Sequence, residues 1–227
     1  MAPIVIYGMA GSAPCRILMM TCEVLGLEYE FKVVNLMTGE NKTPEYLKLN
    51  PHHNVPTLVD GDFVTNESRP AAAYLINKYG GDKKSELYPE SPVERARVDQ
   101  RMYFDMGTFY KAFGECAYPI MMGPASEIAA DKLERFYEVM GWVHDYVKDG
   151  KFAAGTGNFT LADICFVSTV STIMATEAFD LSKFNPELND WFEKCKAHIP
   201  NYEKANGEGA DAVGVWYKGQ VAAKKTA

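Results

Sequence analysis

The sequence lacks the features that mark several broad classes of protein. Its 227 residues include five cysteines, an odd number, and no two of them have C-x-x-C spacing, which argues against a disulfide framework and a zinc site. The formal net charge is -7 and no long Lys/Arg cluster occurs, which argues against a nucleic-acid binder. The composition, 47% hydrophobic and 23% charged, is that of an ordinary globular protein.

Long hydrophobic runs are also missing. The apolar stretch from Ile164 to Ala175 is interrupted by hydroxyl residues, so it predicts a buried helix and not a membrane span. Met1 to Tyr7 has neither the basic start nor the longer apolar run of a secretory signal. We therefore expect a cytoplasmic protein whose thiols are reduced, with no bound metal.

What is present in the first 80 residues is an alternation of strand and helix signals. Gly and Pro punctuate the runs, and the hairpin turn at Asp60-Gly61 fits a type I′ turn. The predicted order βαβαββα implies a mixed sheet with helices on its faces. The predicted elements are strand Pro3–Tyr7, helix Pro14–Leu25, strand Tyr29–Val34, a helix after Thr43 that buries Tyr46, Leu47 and Leu49, strands Thr57–Val59 and Phe63–Thr65, and a helix from Pro70 to Gly80.

After a polar, Gly-rich linker at residues 81–90, the pattern at 91–227 is wholly helical. Ser91, Pro92 and Glu94 predict a capping box that opens a helix, which Tyr118-Pro119 would end. Further helices are predicted at Ala125–Asp149, after a cap formed by Thr160 and Asp163, from Asn185 to His198, and briefly from Pro200.

The segment from His53 to Arg69 carries the polar residues best placed for a site. Glu67, Ser68 and Arg69 lie at the predicted start of a helix, where free N–H groups and the helix dipole favour a carboxylate ligand. Ser68 as a simple helix cap is the alternative.

Taken together, these motifs resemble the cytosolic glutathione transferases along nearly the whole chain. The resemblance rests on Val55-Pro56, on Glu67-Ser68-Arg69 and on the Thr160 cap standing in register. The segments Gly11–Arg16, Leu49–His53, Val98–Arg101 and Tyr103–Thr108 are similar to the serine-type delta class of arthropods, with the epsilon class next. The implied fold is α+β followed by all-α, a thioredoxin-like domain at 1–80 and an all-helical domain at 91–227.

The resemblance also implies roles for residues at the thiol end of glutathione. Ser12 matches the serine whose hydroxyl would hold the glutathione sulfur as thiolate. A helix cap is the alternative role of Ser12, and Tyr7 is the rival for the thiolate contact. Cys15 as a redox thiol of glutaredoxin type is a further, less favoured interpretation.

The remaining glutathione contacts follow from the same resemblance. Pro56 matches a cis-proline that turns the backbone of Val55 toward the cysteinyl part of the tripeptide. His53 would reach the glycyl carboxylate, and Glu67 the ammonium group. The full implied glutathione-binding set is His53, Asn54, Val55, Pro56, Glu67, Ser68 and Arg69.

The electrophile pocket is expected against the helical part, although any one of its apolar residues could instead belong to the core. Ala10, Asn41 and Pro70 depart from the family pattern near the glutathione site. The expected pocket residues are Met9, Pro14, Leu36, Tyr110, Phe113, Tyr118, Met121 and Met122, with Trp216 or Tyr217 as additional candidates.

The function implied is conjugation of glutathione, as co-substrate, to small apolar electrophiles in detoxification, with glutathione peroxidase activity as a further possibility. A homodimer is the family expectation. The alternative is a binding protein of the same fold that sequesters apolar ligands without turnover.

Overall fold

The first part of the chain forms a four-stranded mixed sheet. In the computed structural model, which describes residues 3–225, the strands are β1 (Ile4–Gly8), β2 (Tyr29–Val33), β3 (Thr57–Asp60) and β4 (Phe63–Asn66). Their order is β2-β1-β3-β4; β1 pairs parallel to β2 and antiparallel to β3, and β3 pairs antiparallel to β4. The predicted mixed sheet is confirmed.

Three helices flank this sheet: α1 (Ala13–Leu25), α2 (Pro44–Leu49) and α3 (Ser68–Tyr79). Gly26 ends α1 in the left-handed conformation that glycine adopts without penalty, as predicted. Two details of the prediction are wrong. Pro70 is the third residue of α3 and not the first. Leu47 is 37% exposed, because in this short helix only Tyr46 turns fully into the core.

The hairpin between β3 and β4 differs from the predicted type I′ turn. Asp60 pairs with Phe63, so the two loop residues are Gly61 and Asp62. Only Gly61 has a positive φ, of 61°, whereas a type I′ turn needs positive φ at both loop residues. Glycine is still required, but by its one left-handed position.

Helices make up the rest of the described chain, in agreement with the prediction. A short helix lies inside the segment predicted as a linker, and two single π-helical turns, at 105–109 and 203–207, lead into the helices that follow them. The helices are α4 (Lys84–Leu87), α5 (Pro92–Phe104), α6 (Tyr110–Met121), α7 (Ala130–Val147), α8 (Leu161–Thr176), α9 (Glu187–Lys196) and α10 (Glu208–Lys225). Among residues 3–225, no helix is long and apolar enough to cross a membrane.

Two helix boundaries and one capping interaction in this part were predicted wrongly, although α5 begins at Pro92 as predicted. Pro119 lies inside α6, near its end, where the missing N–H removes only one bond of the last turns. The Ser91 side chain makes no capping hydrogen bond at the start of α5. The long helix α10 replaces the short one predicted at Pro200, because a π-turn carries the chain from Tyr202 into it.

The cap before α8 is confirmed and lies at the centre of the helical part. Asp163 is fully buried and its carboxylate accepts hydrogen bonds from the Thr160 backbone and hydroxyl, both at 3.0 Å. It also accepts from the backbone N–H of Ala153 at 2.7 Å and from Trp191 Nε1 at 3.1 Å. One carboxylate thus joins the start of α8 to α9 and to the loop before α8.

Candidate active site

Ser12 occupies the N-cap position of α1, but its hydroxyl does not cap the helix. Its backbone is extended, with φ of -76° and ψ of 115°, and its side chain makes no capping hydrogen bond. The backbone N–H of Ser12 donates to the Met9 carbonyl at 2.8 Å, which closes the loop tightly. Pro14 occupies the first turn. The Ser12 hydroxyl therefore lies at the N-terminus of α1 but does not cap the helix.

Tyr7 and Cys15 are the alternatives to Ser12 near this loop, and each has different neighbours from the Ser12 hydroxyl. The Tyr7 ring lies 5.4 Å from Lys32 Nζ and 6.4 Å from the Tyr46 ring, centroid to centroid. Cys15 is fully buried, and burial raises the pKa of its thiol to about 11, against the weaker lowering effect of a hydrogen bond with Ser12. Such a thiol is inert.

The Val55–Pro56 peptide bond is cis, as the resemblance implies. The carbonyl of Asn54, just before it, accepts hydrogen bonds from Tyr46 Oη at 2.6 Å and from Asn50 Nδ2 at 3.0 Å. Because both donors belong to buried side chains, the backbone next to Val55 is held in a fixed position.

His53 is exposed and has a positive φ of 46°. Its carbonyl accepts a hydrogen bond from Asn41 Nδ2 at 2.6 Å. Asn41 is buried and holds the backbone of the His53 loop in place. Sequence reasoning noted only that Asn41 departs from the family pattern and did not predict this contact.

Glu67 and Ser68 open α3. Glu67 is exposed and has a φ of 64°, an uncommon conformation for a residue with a side chain, and such conformations often mark functional sites. Ser68 is buried, and its Oγ accepts a hydrogen bond from Arg69 Nη1 at 3.2 Å.

Arg69 lies beside Glu67 and Ser68, but its charge is directed at the helical part. Its Nη2 pairs with the carboxylate of Asp105, which is fully buried, and Arg69 Nε has no hydrogen-bond partner among the described residues. Burial is the largest single effect and lowers the Arg69 pKa, but the charges of Asp105, Cys165 and Tyr110 and the hydrogen bond to Asp105 together raise it above its ordinary value. Asp105 also accepts from Thr169 Oγ1 at 2.7 Å. Sequence reasoning missed Asp105, which the π-turn before α6 places here.

An open, mainly apolar groove of about 650 Å³ runs along α6. Of the residues predicted for the electrophile pocket, Tyr110, Tyr118 and Met122 line this groove, and the Tyr110 and Tyr118 hydroxyls are 2.6 Å apart. Met106 and Gly114 line it as well. Positions 106, 110, 114, 118 and 122 follow one another at a spacing of four, so they lie along one side of the helix. This spacing could have identified Met106 and Gly114, which the sequence analysis did not predict.

The other expected pocket residues lie elsewhere. Phe113 and Met121 are buried at 1% and 6% exposure, so they belong to the core and not to the groove. Met9, Pro14 and Leu36 are half-buried outside the groove lining, as is Trp216, and Tyr217 is buried.

Helix α10 packs directly on the loop that carries Ser12. A Cβ added to Gly209 would lie 2.3 Å from the Ala10 carbonyl oxygen, and one added to Gly11 would lie 3.2 Å from Val213 Cγ2. Gly209 is thus required for this close approach between α10 and the Ser12 loop. Helix α10, which the sequence analysis did not predict, packs directly against that loop.

The protein combines a thioredoxin-like sheet, which carries the cis-proline loop, with a helical part formed by residues after the sheet. The Ser12 loop and the Glu67-Ser68-Arg69 segment both contact this helical part. Residues 6–83 match the family described as glutathione S-transferase, N-terminal domain.

Solved structures extend the match over nearly the whole chain. A delta-class glutathione transferase of Nilaparvata lugens is 43% identical, with a TM-score of 0.90, covering 96% of this chain and 100% of that one. An epsilon-class enzyme of Musca domestica is 36% identical, with a TM-score of 0.87 and coverage of 96% and 98%. A glutathione transferase homologue of Drosophila mojavensis with bound glutathione is 34% identical, with a TM-score of 0.88 and coverage of 97% and 98%. The chain belongs to the glutathione transferase family and is a glutathione S-transferase.

Proposed function

We propose that this enzyme activates glutathione at Ser12 and transfers its thiolate to small apolar electrophiles bound along α6. The observation that carries the proposal is the position of Tyr110. It lines the apolar groove, and the charges of Arg16, from the Ser12 helix, and Arg69, from the Glu-Ser-Arg segment, both act on its pKa, which burial nevertheless raises well above its ordinary value. These interactions support a groove that lies next to both parts of the proposed glutathione site.

Thiolate formation requires a defined amount of stabilisation. A free thiol has a pKa near 8.5, and lowering it by about two units needs roughly 3 kcal/mol of preference for the thiolate. A hydrogen bond from the Ser12 hydroxyl would contribute roughly 1.5 to 3 kcal/mol. The N-terminus of α1 would add up to about 1 kcal/mol. The Ser12 loop can thus supply most of what is needed without a nucleophile of its own.

The tripeptide would be held by the surrounding backbone and three side chains. The Val55 backbone would pair with the cysteinyl part like an added strand, since the cis-proline loop leaves its polar groups open to a ligand. His53 would reach the glycyl carboxylate, Glu67 the ammonium group, and Ser68 the γ-glutamyl carboxylate at the start of α3. Arg69 would act there mainly through Ser68, because its guanidinium is already paired with Asp105.

Conjugation of glutathione to an aryl halide, measured as a function of pH, tests the proposal. The native protein, Ser12→Ala and Tyr7→Phe would be compared, together with the apparent pKa of bound glutathione. Loss of one charged hydrogen bond predicts roughly a 10- to 100-fold loss of kcat/KM at neutral pH for Ser12→Ala, with a smaller loss at alkaline pH. An unchanged Ser12→Ala beside an inactive Tyr7→Phe would contradict it.

The same assay separates the enzyme from a ligand carrier. A native protein that binds glutathione but does not turn over any electrophile would favour the binding role. Turnover of an organic hydroperoxide would add peroxidase activity to the transferase. Conjugation of toxic electrophiles in the cytoplasm is the physiological role we infer from the family.

We further propose a homodimer formed through the face between α3 and α5. A groove of about 570 Å³ there is lined by Pro70, Tyr74, Tyr103 and Met106, among others. Tyr103 is 68% exposed, an unusual position for a large aromatic side chain on a monomer. Sedimentation of the native protein and of Tyr103→Glu tests this, and a native monomer at micromolar concentration would contradict it.

A further inference from the structure

Arg16 is a fully buried arginine whose partners are all uncharged. Its Nε donates to Asn206 Oδ1 at 2.8 Å, and its Nη1 donates to the carbonyls of Gly11 at 2.9 Å and Ala10 at 3.3 Å. Its Nη2 donates to the Ser168 carbonyl at 3.1 Å and to Thr172 Oγ1. Among residues 3–225, no carboxylate forms an ion pair with it, and its hydrogen-bond acceptors are carbonyl, amide and hydroxyl oxygens.

The guanidinium keeps its charge in this setting. Burial lowers the Arg16 pKa to about 10, so the side chain is cationic at neutral pH. The ionisable groups that face it are the Cys15 thiol, the Tyr110 phenol from α6 and the Tyr202 phenol before the second π-turn. All three are neutral at pH 7, because burial raises the pKa of each. The charge of Arg16 is therefore uncompensated.

Arg69, the other buried arginine beside the site, provides a contrast. Its charge is neutralised by Asp105. A buried charge is normally paired, and one that is not should have a partner that arrives from outside. The contacts of Arg16 with Ala10 and Gly11 place it immediately behind the Ser12 loop, where the incoming group would be an anion.

We infer that Arg16 is a positioning residue with an electrostatic role: it ties the Ser12 loop to α8 and to Asn206, and its unpaired charge stabilises the glutathione thiolate at Ser12. This inference rests on the proposed function. At an effective dielectric constant of about 20 and a separation of roughly 10 Å, one charge changes the ionisation constant of the thiol about tenfold. Ser12 would thus share the stabilisation with a cation that touches no substrate atom.

Asn206→Asp is the variant that tests the charge while preserving the shape. It places a carboxylate where the amide oxygen now accepts from Arg16 Nε, and Tyr202, now the acceptor from Asn206 Nδ2 at 2.8 Å, can turn its hydroxyl to donate. The measurement is the apparent pKa of glutathione bound to the full-length enzyme, followed by thiolate absorbance and by the pH dependence of kcat/KM. We expect that pKa to rise by about one, with activity recovering at alkaline pH.

Two control variants separate charge from packing. Asn189→Asp, on the exposed side of α9, makes the same change of net charge at a distance and should leave the profile as in the native enzyme. Asn206→Ser removes the contact without adding charge and should lower stability with little change in the thiol pKa. An Asn206→Asp enzyme with the native thiol pKa would overturn the inference.

Should Asn206→Asp fail to fold, Arg16→Lys against Arg16→Gln tests the same charge. The lysine variant should keep a near-native thiol pKa. The glutamine variant should raise the thiol pKa by about one, which is an ionisation constant about tenfold lower. Equal pKa values in the two variants would overturn the inference. A native enzyme whose bound thiol has its free pKa would instead defeat the proposed function, so the two failures are distinguishable.

Discussion

Replacing Asp105 by asparagine tests whether the pair with Arg69 holds the sheet to the helices. Asp105 is fully buried and serves Arg69 and Thr169 together. The variant keeps the shape but removes the charge, so the guanidinium stays buried without a counter-ion. Among residues 3–225, Arg69 Nε already lacks a partner, and Asp105 is the one carboxylate that forms an ion pair with this guanidinium.

The expected cost is about 3 to 5 kcal/mol of unfolding free energy, the usual penalty for breaking a buried ion pair. This is a large share of a typical total of about 5 to 15 kcal/mol. Asp145→Asn is the matched control: its partner Lys148 is at 2.8 Å, but both side chains are about half exposed to solvent, so little or no loss of stability is expected.

Urea unfolding at one fixed protein concentration measures both variants, since the stability of the proposed dimer would depend on concentration. Asp105→Asn within about 1 kcal/mol of Asp145→Asn would refute the reasoning. A compensating test is the double change Arg69→Met with Asp105→Leu. It should recover most of the lost stability, because an apolar pair needs no counter-ion, while its activity should fall through the altered support of Ser68.

Further predictions concern packing, pH and thiol chemistry. Gly209→Ala should displace the loop before Ser12 and reduce kcat/KM at least about tenfold, whereas Gly219→Ala, on the same helix with open space around it, should be neutral or stabilising by up to about 1 kcal/mol, as thermal unfolding would show. Burial raises the Asp60 pKa, but hydrogen bonds from a lysine and two tyrosines lower it more, so its folded pKa lies below its unfolded one. Its contribution to stability is therefore present above about pH 4 and is lost as the pH falls further, and unfolding of Asp60→Asn should depend less on pH in that range; an equal dependence would contradict this. Cys15 should resist an aromatic disulfide reagent at pH 8 until denaturant is added, and rapid reaction in the native state would contradict its burial.

The fold was largely predictable from local signals. Gly26 and the Thr160 cap fix helix ends through backbone requirements that any sequence reader can apply. The errors have a common cause in tertiary packing. The helix that Pro119 was expected to end continues, because only its last turns lose a bond. Helix α10 forms although its sequence carries three glycines, since its close contacts with other elements outweigh their weak helix propensity.

The site was predictable where a residue acts through the backbone or at a helix start, and less so where it acts through partners distant in sequence. The cis peptide bond at Pro56 was predicted correctly from nearby residues, and the roles proposed for Ser12 and Glu67 also rest on nearby residues. Asp105 and Asn206 were missed, since nothing in the sequence around either one indicates that it meets a buried arginine far away in the chain. Phe113 was misplaced because periodicity identifies an apolar face but not what covers it.

The contacts of Arg16 have a consequence for the order in which the protein is made. The carbonyls of Ala10 and Gly11 are available as soon as the first helix leaves the ribosome, but Ser168, Thr172 and Asn206 lie 152, 156 and 190 residues later in the chain. Until then the guanidinium must remain hydrated, and the Ser12 loop is not sealed. A nascent chain that stops before α8 thus carries every residue of the glutathione motif but none of the later partners of Arg16. We therefore expect catalytic activity only after the helical part has been synthesised.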